Sequence, residues 1–184
     1  MCRTSDKKNG DLHRADILTK QNVVIELQNS PIQKGVILER EEFYGEKMLW
    51  LINGIPFKDN FDILNWDNFD IYERLYYKKT GKDKLPFNWK WARRSWEEVE
   101  RHVFIDFGKE SLFWVTNGMG TSSGIGKYIA KEKFINKYGG DYEYYHQQYQ
   151  IRLKEIERQK KEIERQKNIL INREFLRITR NRRG

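Results

Sequence analysis

The sequence of 184 residues contains one cysteine, three prolines and no long run of apolar residues. The single thiol, on Cys2, excludes a disulfide within the chain and a zinc site built from cysteines. No segment approaches the roughly 18 consecutive apolar residues of a transmembrane helix, and the N-terminus lacks the apolar region of a signal peptide. We therefore expect a soluble, cytoplasmic protein that makes no membrane contact.

Aromatic and charged residues are abundant. Phe, Trp and Tyr make up 14% of the chain, enough to build a core, and charged residues make up 34%, which is high for a compact domain. The charge is uneven: residues 141–184 contain 12 Lys or Arg against 7 Asp or Glu, in a chain with a net charge of +8. A basic protein of this kind favours polyanions, nucleic acid above all.

Composition divides the chain into two parts. Residues 1–140 alternate short apolar segments with turn residues and predict an α/β domain with a mixed β-sheet. Residues 141–184 predict a long basic helix and tail, in which KEIERQK occurs twice in succession. Each copy has one apolar residue, Ile156 or Ile163, where a coiled-coil seam needs two. We therefore expect at most a weak homodimer through this C-terminal helix.

Local patterns predict several elements of the first part. Two apolar runs, 12–18 and 23–28, predict a strand hairpin. A helix is expected to begin with Ser30 as its N-cap and Pro31 at its first position, and to end at Gly45.

Further along, the segment KMLWLIN predicts a strand, and RHVFIDFG with SLFWVTNG predicts a second hairpin. A Gly/Ser-rich loop is expected at GMGTSSGIGK, followed by a helix over KYIAKEKFINKYGG. Residues 56–100 have weak periodicity, and we expect a mixture with short helical pieces.

Each of the first two strand-like segments contains a carboxylate, Asp16 in one and Glu26 in the other. Residues two apart in a strand share a face, so Arg14 belongs with Asp16 and Gln28 with Glu26. If the strands are neighbours, the carboxylates converge and repel each other unless a cation lies between them. Such oxygen ligands, completed by water, suit Mg²⁺ or Mn²⁺. From spacing alone the alternative stays open that the acids are solvated or bind arginine side chains.

The motifs around these carboxylates resemble those of the competence protein CoiA-like nucleases, a family of the PD-(D/E)XK superfamily. The matching segments are HRADIL, IELQNSPI, ER..FY and MLWLING, in that order, within residues 12–55. The resemblance implies a restriction-endonuclease-like core, a mixed β-sheet flanked by helices, and metal-dependent cleavage of DNA. It also implies that Asp16 and Glu26 bind Mg²⁺ or Mn²⁺ and that Asp16, Glu26 and Gln28 are catalytic.

The resemblance extends to three further points. The superfamily usually has lysine where this chain has Gln28, but the CoiA-like pattern has glutamine, which orients water without supplying charge. Arg40 and Tyr44 are expected to face the site or the phosphate backbone, or else to form a pair on the helix surface. The family has a helix before its first catalytic strand, and with eleven residues before Leu12 we expect this helix to be missing, replaced or lost by truncation.

Residues 88–96, NWKWARRSW, interleave tryptophan with basic residues. Arg and Trp together can hold a nucleic-acid strand by stacking and phosphate contacts, so Arg93 and Arg94 join Arg14, Arg40 and Tyr44 as candidate nucleic-acid-binding residues. The tryptophans at 89, 91 and 96 are expected to be core residues.

The sequence therefore predicts a metal-dependent nuclease that hydrolyses DNA phosphodiester bonds. The alternative is an inactive protein of the same fold that binds nucleic acid, or a protein partner, through its basic C-terminal helix. An active site requires the Asp16 and Glu26 carboxylates within about 4–6 Å of each other and open to solvent. The inactive protein would have them apart, or bound to arginine.

Overall fold

The computed structural model describes residues 3–5, 12–65 and 83–181 of the chain, which divides into two compact units, 1–140 and 141–184. An α/β arrangement with a mixed sheet and a long C-terminal helix is confirmed. In chain order the elements are β1 (Arg3–Ser5), β2 (Leu12–Arg14), β3 (Ile17–Leu18), β4 (Val24–Gln28), α1 (Lys34–Tyr44), β5 (Met48–Asn53), β6 (Phe61–Ile63), β7 (Leu85–Trp89), β8 (His102–Asp106), β9 (Ser111–Asn117), β10 (Ser123–Ala130), α2 (Lys131–Lys137) and α3 (Tyr142–Asn181).

Within the described part of the first unit, eight strands form one sheet in the order β3-β4-β5-β8-β9-β10-β7-β6. The neighbours β4, β5 and β8 are parallel, and the remaining neighbours are antiparallel. α1 connects β4 to β5, as parallel pairing requires a crossover. The three parallel strands therefore end at the same edge, at Gln28, Asn53 and Asp106.

Both faces of the sheet are covered in its parallel region. Val24 and Trp50 pack with Ile37 of α1 on one face, whereas Ile25 packs with Phe134 of α2 on the other. Burial on both faces explains the unbroken apolar run MLWLI in β5, since such strands need no polar alternation. Glu26, two residues after Val24, falls on the α1 face.

The predicted start of the first helix is wrong, although its predicted end is confirmed. α1 begins at Lys34 after Gln33, which has an extended backbone and makes no capping hydrogen bond. The side-chain amide of Gln28 donates to the carbonyl oxygen of Ser30 and, at 3.5 Å, to its hydroxyl. Ser30 thus accepts hydrogen bonds from a residue of the preceding strand and does not cap the helix. Gly45, with a φ of 67°, ends the helix.

The second half of the Gly/Ser-rich segment, from Ser123, is part of strand β10, so the loop prediction is wrong beyond residue 122. β10 pairs with β9 and β7, and a Cβ atom on Gly126 would collide with the ring of Phe113. Glycine is needed there because an aromatic ring lies on the strand backbone. The predicted helix accordingly begins only at Lys131, while the second hairpin and the KMLWLIN strand are confirmed.

The mixed character expected for residues 56–100 is confirmed where the structure describes them. Two short 3-10 turns, Ile55–Asn60 and Arg94–Trp96, accompany β6 and β7, and residues 66–82 lie outside the described residues. Trp89 and Trp96 are buried as predicted. The prediction is wrong for Trp91, whose side chain is 74% exposed, because it sits on the turn after β7 with a φ of 58°.

The second unit is α3, a helix of 40 residues. The repeated heptad produces repeated contacts: Glu155 accepts hydrogen bonds from Arg158 and Gln159, and Glu162 accepts one from Gln166. Ile156 and Ile163 are exposed, and the homodimer stays a prediction. Among the residues that the structure describes, no helix combines the length and apolar character needed to cross a membrane. The last residues of the basic tail, 182–184, lie beyond the described range.

Candidate active site

The register of β3 and β4 brings the two predicted carboxylates together. Ile17 pairs with Ile25, so Asp16, in the bend before β3, lies opposite Glu26. The Oδ2 atom of Asp16 accepts a hydrogen bond from the backbone N–H of Leu27 at 2.8 Å. This bond fixes the exposed carboxylate of Asp16 beside the strand residue that follows Glu26.

Glu26 is buried beneath α1, with 1% of its side chain exposed, so the expectation that both carboxylates of an active site are open to solvent is not met by Glu26. Its Oε2 atom forms an ion pair and hydrogen bond with the guanidinium of Arg40. Its Oε1 atom is buried and has no hydrogen-bond partner in the described part of the chain. A buried carboxylate oxygen without a partner is unfavourable, so this atom is a candidate ligand for a cation.

The pKa of the Glu26 carboxyl is raised above its ordinary value of 4.5. Burial is the largest cause, because it disfavours the charged form. The guanidinium of Arg40 acts in the opposite direction, whereas the negative charge of Asp16 raises the pKa further. The two acids are thus close enough to influence each other, and positive charge at this position stabilises the carboxylate form.

Gln28 lies two residues after Glu26, at the carboxyl end of β4. Its amide is oriented by the contact with Ser30 described above. A cavity of about 300 Å³ opens at this strand end, with Leu27 on one side and Asn53 and Asp106 from the neighbouring parallel strands on the other. The carboxyl ends of parallel strands are the usual position of ligands in α/β sheets.

The other predicted binding residues lie in different places. Arg14 is exposed at the end of β2. Tyr44 is half-buried against the core, with its ring centroid 4.9 Å from that of Phe43, so the surface-pair alternative does not describe it. Arg93 lies over the ring of Phe57 at 5.0 Å, and the Arg94 side chain is 89% exposed. Of this group, Arg40 is the residue that the structure brings to Glu26.

Glu41 is a second buried carboxylate, which the sequence reasoning missed. Its Oε1 atom accepts a hydrogen bond from the indole N–H of Trp50 at 2.8 Å, and its Oε2 atom accepts one from the backbone N–H of Glu100 at 2.9 Å. It therefore fastens the segment before β8 to α1. A signal was present, because Glu41 follows Ile37 by four residues and so lies on the same helical face.

The two carboxylates fit a magnesium or manganese site in the kind and number of their donors. Mg²⁺ is typically held by one or two carboxylates together with waters and phosphate oxygens. Asp16 and the partnerless Oε1 atom of Glu26 supply the protein share of such a set. Within the described residues there is no group of three or more His, Cys, Asp or Glu side chains that could hold a metal ion. Arg40 competes with a cation for the same carboxylate.

Comparison with protein-family models, curated proteins and solved structures gave no match for this chain.

Proposed function

We propose that this protein is a divalent-metal-dependent nuclease that hydrolyses DNA phosphodiester bonds. The observation that carries the proposal is the meeting of Asp16 with Glu26, whose buried Oε1 atom has no hydrogen-bond partner among the described residues. The succession of an antiparallel strand pair, a helix and a parallel strand supports a core of the PD-(D/E)XK type. Gln28 in the third motif position supports its CoiA-like form.

Each residue of the site has a distinct role in this proposal. Asp16 and Glu26 would hold Mg²⁺ or Mn²⁺. The bound ion would lower the pKa of a water molecule and neutralise negative charge on the phosphate. Gln28 orients the attacking water by hydrogen bonds. Arg40 donates to phosphate oxygens, for which guanidinium is well suited. In the hydrolysis the water oxygen bonds to phosphorus and loses a proton to solvent, and the bond from phosphorus to one deoxyribose oxygen breaks, that oxygen taking up a proton from solvent.

One observation favours a second candidate function. The ion pair between Arg40 and Glu26 neutralises the buried carboxylate with a charge from the protein itself. A site satisfied in this way does not need a cation to be stable. On this reading the first unit keeps a nuclease-like fold without cutting, and the protein binds nucleic acid, or a protein partner, through the basic helix α3.

Nicking of supercoiled plasmid and degradation of linear and single-stranded DNA, each with Mg²⁺ or Mn²⁺, test the proposal. Glu26→Gln keeps an acceptor for Arg40 but removes the charge, and we expect it to lose at least about 100-fold in cutting, because even outer-shell partners of a metal site are worth about 10–100-fold. Glu42→Gln is the matched control, because it makes the same change at an exposed acid of α1. Gln28→Lys should retain or raise activity.

The outcomes separate the two functions. Metal-dependent cutting that is lost in Glu26→Gln and kept in Glu42→Gln supports the nuclease. Salt-sensitive DNA binding by a wild-type protein that cuts none of the substrates supports the inactive fold. Cutting that is equal in wild type and Glu26→Gln would contradict the assigned site.

A further inference from the structure

Trp91 lies in the turn after β7 with 74% of its side chain exposed to solvent. Its φ of 58° is in the left-handed region, which bulky residues rarely adopt because the side chain crowds the backbone. An exposed ring does not offset this strain by burial. Strain of this kind clusters at functional positions, and an observed outlier is a reason to look for a function.

The turn that carries Trp91 is held by hydrogen bonds of the two preceding residues and lies between two buried tryptophans. The backbone N–H of Trp89 donates to the carbonyl of Ser122 at 2.8 Å, and that of Lys90 donates to the carbonyl of Asn60 at 2.8 Å. Trp89 and Trp96, on either side, are 2% and 1% exposed. The indole ring of Trp91 is therefore presented by a fixed backbone, which reduces the ordering that a ligand would otherwise have to impose.

One basic side chain contacts this ring and a second follows closely in the chain. The ammonium group of Lys90 lies over the ring of Trp91, 4.5 Å from its centroid, and the Arg94 side chain, three residues after Trp91, is 89% exposed. Residues 88–95 contain three basic residues and no acidic one. The nearest ion pair, from Arg94 to Glu97 at 3.9 Å, is exposed and long enough to leave the arginine available to a stronger anion.

An exposed aromatic ring with one cation over it and a second exposed cation three residues later matches the two chemical parts of a nucleotide. The ring stacks on a base, and the cations contact the phosphates on either side of it. In a duplex the base faces are covered by neighbouring bases, so stacking on a side chain needs an unpaired base. The chemistry of this turn therefore suits single-stranded nucleic acid better than a double helix.

The same turn is connected by packing to the candidate active site. The rings of Trp96 and Trp50 meet edge to face at 5.1 Å, and Trp50 is the register partner of Glu26. Trp89 and Trp96 belong to the core cluster that also contains Ile37 of α1. The turn itself follows the end of β7, at the edge of the sheet where the parallel strands β4, β5 and β8 begin, so a nucleic-acid strand held at Trp91 would lie at the edge opposite Gln28.

We propose that Trp91, together with Lys90 and Arg94, forms a stacking site for an unpaired nucleotide and directs the protein to single-stranded nucleic acid. This inference rests on the proposed function for the class of ligand, and it adds the substrate preference and the residues that produce it.

Binding of a fluorescein-labelled oligothymidylate to the full chain, measured by anisotropy in EDTA, tests this site without metal or cutting. We expect Trp91→Ala to weaken binding about 10-fold, as for the removal of one stacked base, and Trp91→Phe to stay near the wild-type affinity. Tyr128→Ala is the control, because it removes an exposed aromatic residue from β10. Trp91→Ala should weaken the binding of a duplex of the same length less than it weakens the binding of the single strand.

Three results would overturn the inference: equal affinity of wild type and Trp91→Ala, an equal loss in Trp91→Phe and Trp91→Ala, or an equal loss for duplex and single strand. Binding that depends on Trp91 in a protein that never cuts DNA would leave the stacking site standing and remove the nuclease. DNA cutting by a protein whose binding does not depend on Trp91 would support the nuclease and remove the stacking site.

Discussion

The carboxyl group of Glu26 carries its proton more readily in the folded protein than in the unfolded chain, because its pKa is raised by burial. Its contribution to stability is therefore present below the ordinary glutamate pKa and is lost as the pH rises through the raised value. We expect the free energy of unfolding of wild type to fall, relative to that of Glu26→Gln, as the pH is raised from the ordinary glutamate pKa of 4.5 toward neutrality. Urea unfolding across this range measures the difference.

Glu42→Gln serves as the reference for this measurement, since it makes the same change at an exposed position of α1. It should show no comparable dependence on pH. Parallel curves for wild type and Glu26→Gln would contradict the raised pKa.

Sequence reasoning located Asp16 and Glu26 as a pair because the pairing of neighbouring strands follows from alternation and turn length. The predicted strand over 12–18 is only partly confirmed: Ile17–Leu18 pairs with β4, whereas Leu12–Arg14 pairs with β1 in a separate sheet. Sequence reasoning did not find Trp91 as an exposed residue or Glu41 as a buried one. The exposure of Trp91 depends on a left-handed turn and on the bonds that Trp89 and Lys90 make to distant parts of the chain. The sequence around Trp91 contains no local signal for such contacts, whereas the helical spacing from Ile37 did mark Glu41.

Among the elements, the sequence predicted best the strands bounded by clear turn residues, such as β5, β8 and β9. These strands are apolar enough that burial alone decides their state. The prediction from sequence failed at the start of α1 and at β10, where contacts with other elements outweigh the local conformational preference. Glycines favour a loop in the sequence, but in β10 they make room for the rings of Phe87 and Phe113.

Two glycine substitutions test whether the glycines of β10 are needed to make room for the aromatic rings. A Cβ atom on Gly126 would meet both the Phe113 ring and the carbonyl oxygen of Trp114, so we expect Gly126→Ala to lower the free energy of unfolding by about 1–3 kcal/mol. Gly35, in the first turn of α1, has open space around it. Gly35→Ala should raise stability by up to about 1 kcal/mol, since alanine favours the helix.

Urea unfolding of the two alanine variants beside wild type gives both changes in one experiment. Opposite signs are the expected result. A loss of stability in Gly35→Ala as large as that in Gly126→Ala would contradict the packing explanation, because glycine would then be needed for a reason unrelated to the rings.

At the scale of the whole molecule, the chain consists of two units that differ in charge as well as in structure. Residues 141–184 contain 12 of the basic residues and only 7 acidic ones. Under the proposed function this unit adds affinity for the DNA backbone, and backbone contacts release counterions. Removal of 141–184 should therefore weaken DNA binding and make it less sensitive to salt.

The measurement is the slope of the logarithm of the DNA-binding constant against the logarithm of salt concentration, for the full chain and for residues 1–140. We expect the slope of the truncated chain to be shallower by about 0.9 for each phosphate of duplex DNA that α3 neutralises in the full chain. Cutting of the plasmid at low salt should persist in the truncated chain. An unchanged slope would show that α3 does not touch the DNA backbone.

The unequal exposure of the tryptophans also makes the chain its own optical reporter. Trp50, Trp89 and Trp96 are at most 2% exposed, whereas Trp91 is largely hydrated. Hydrated indoles emit at longer wavelength than buried ones, and iodide in solution quenches only rings that it can reach. The difference between the fluorescence of wild type and that of Trp91→Phe is the emission of Trp91 alone. Ligand binding at this turn can therefore be followed without attaching a dye.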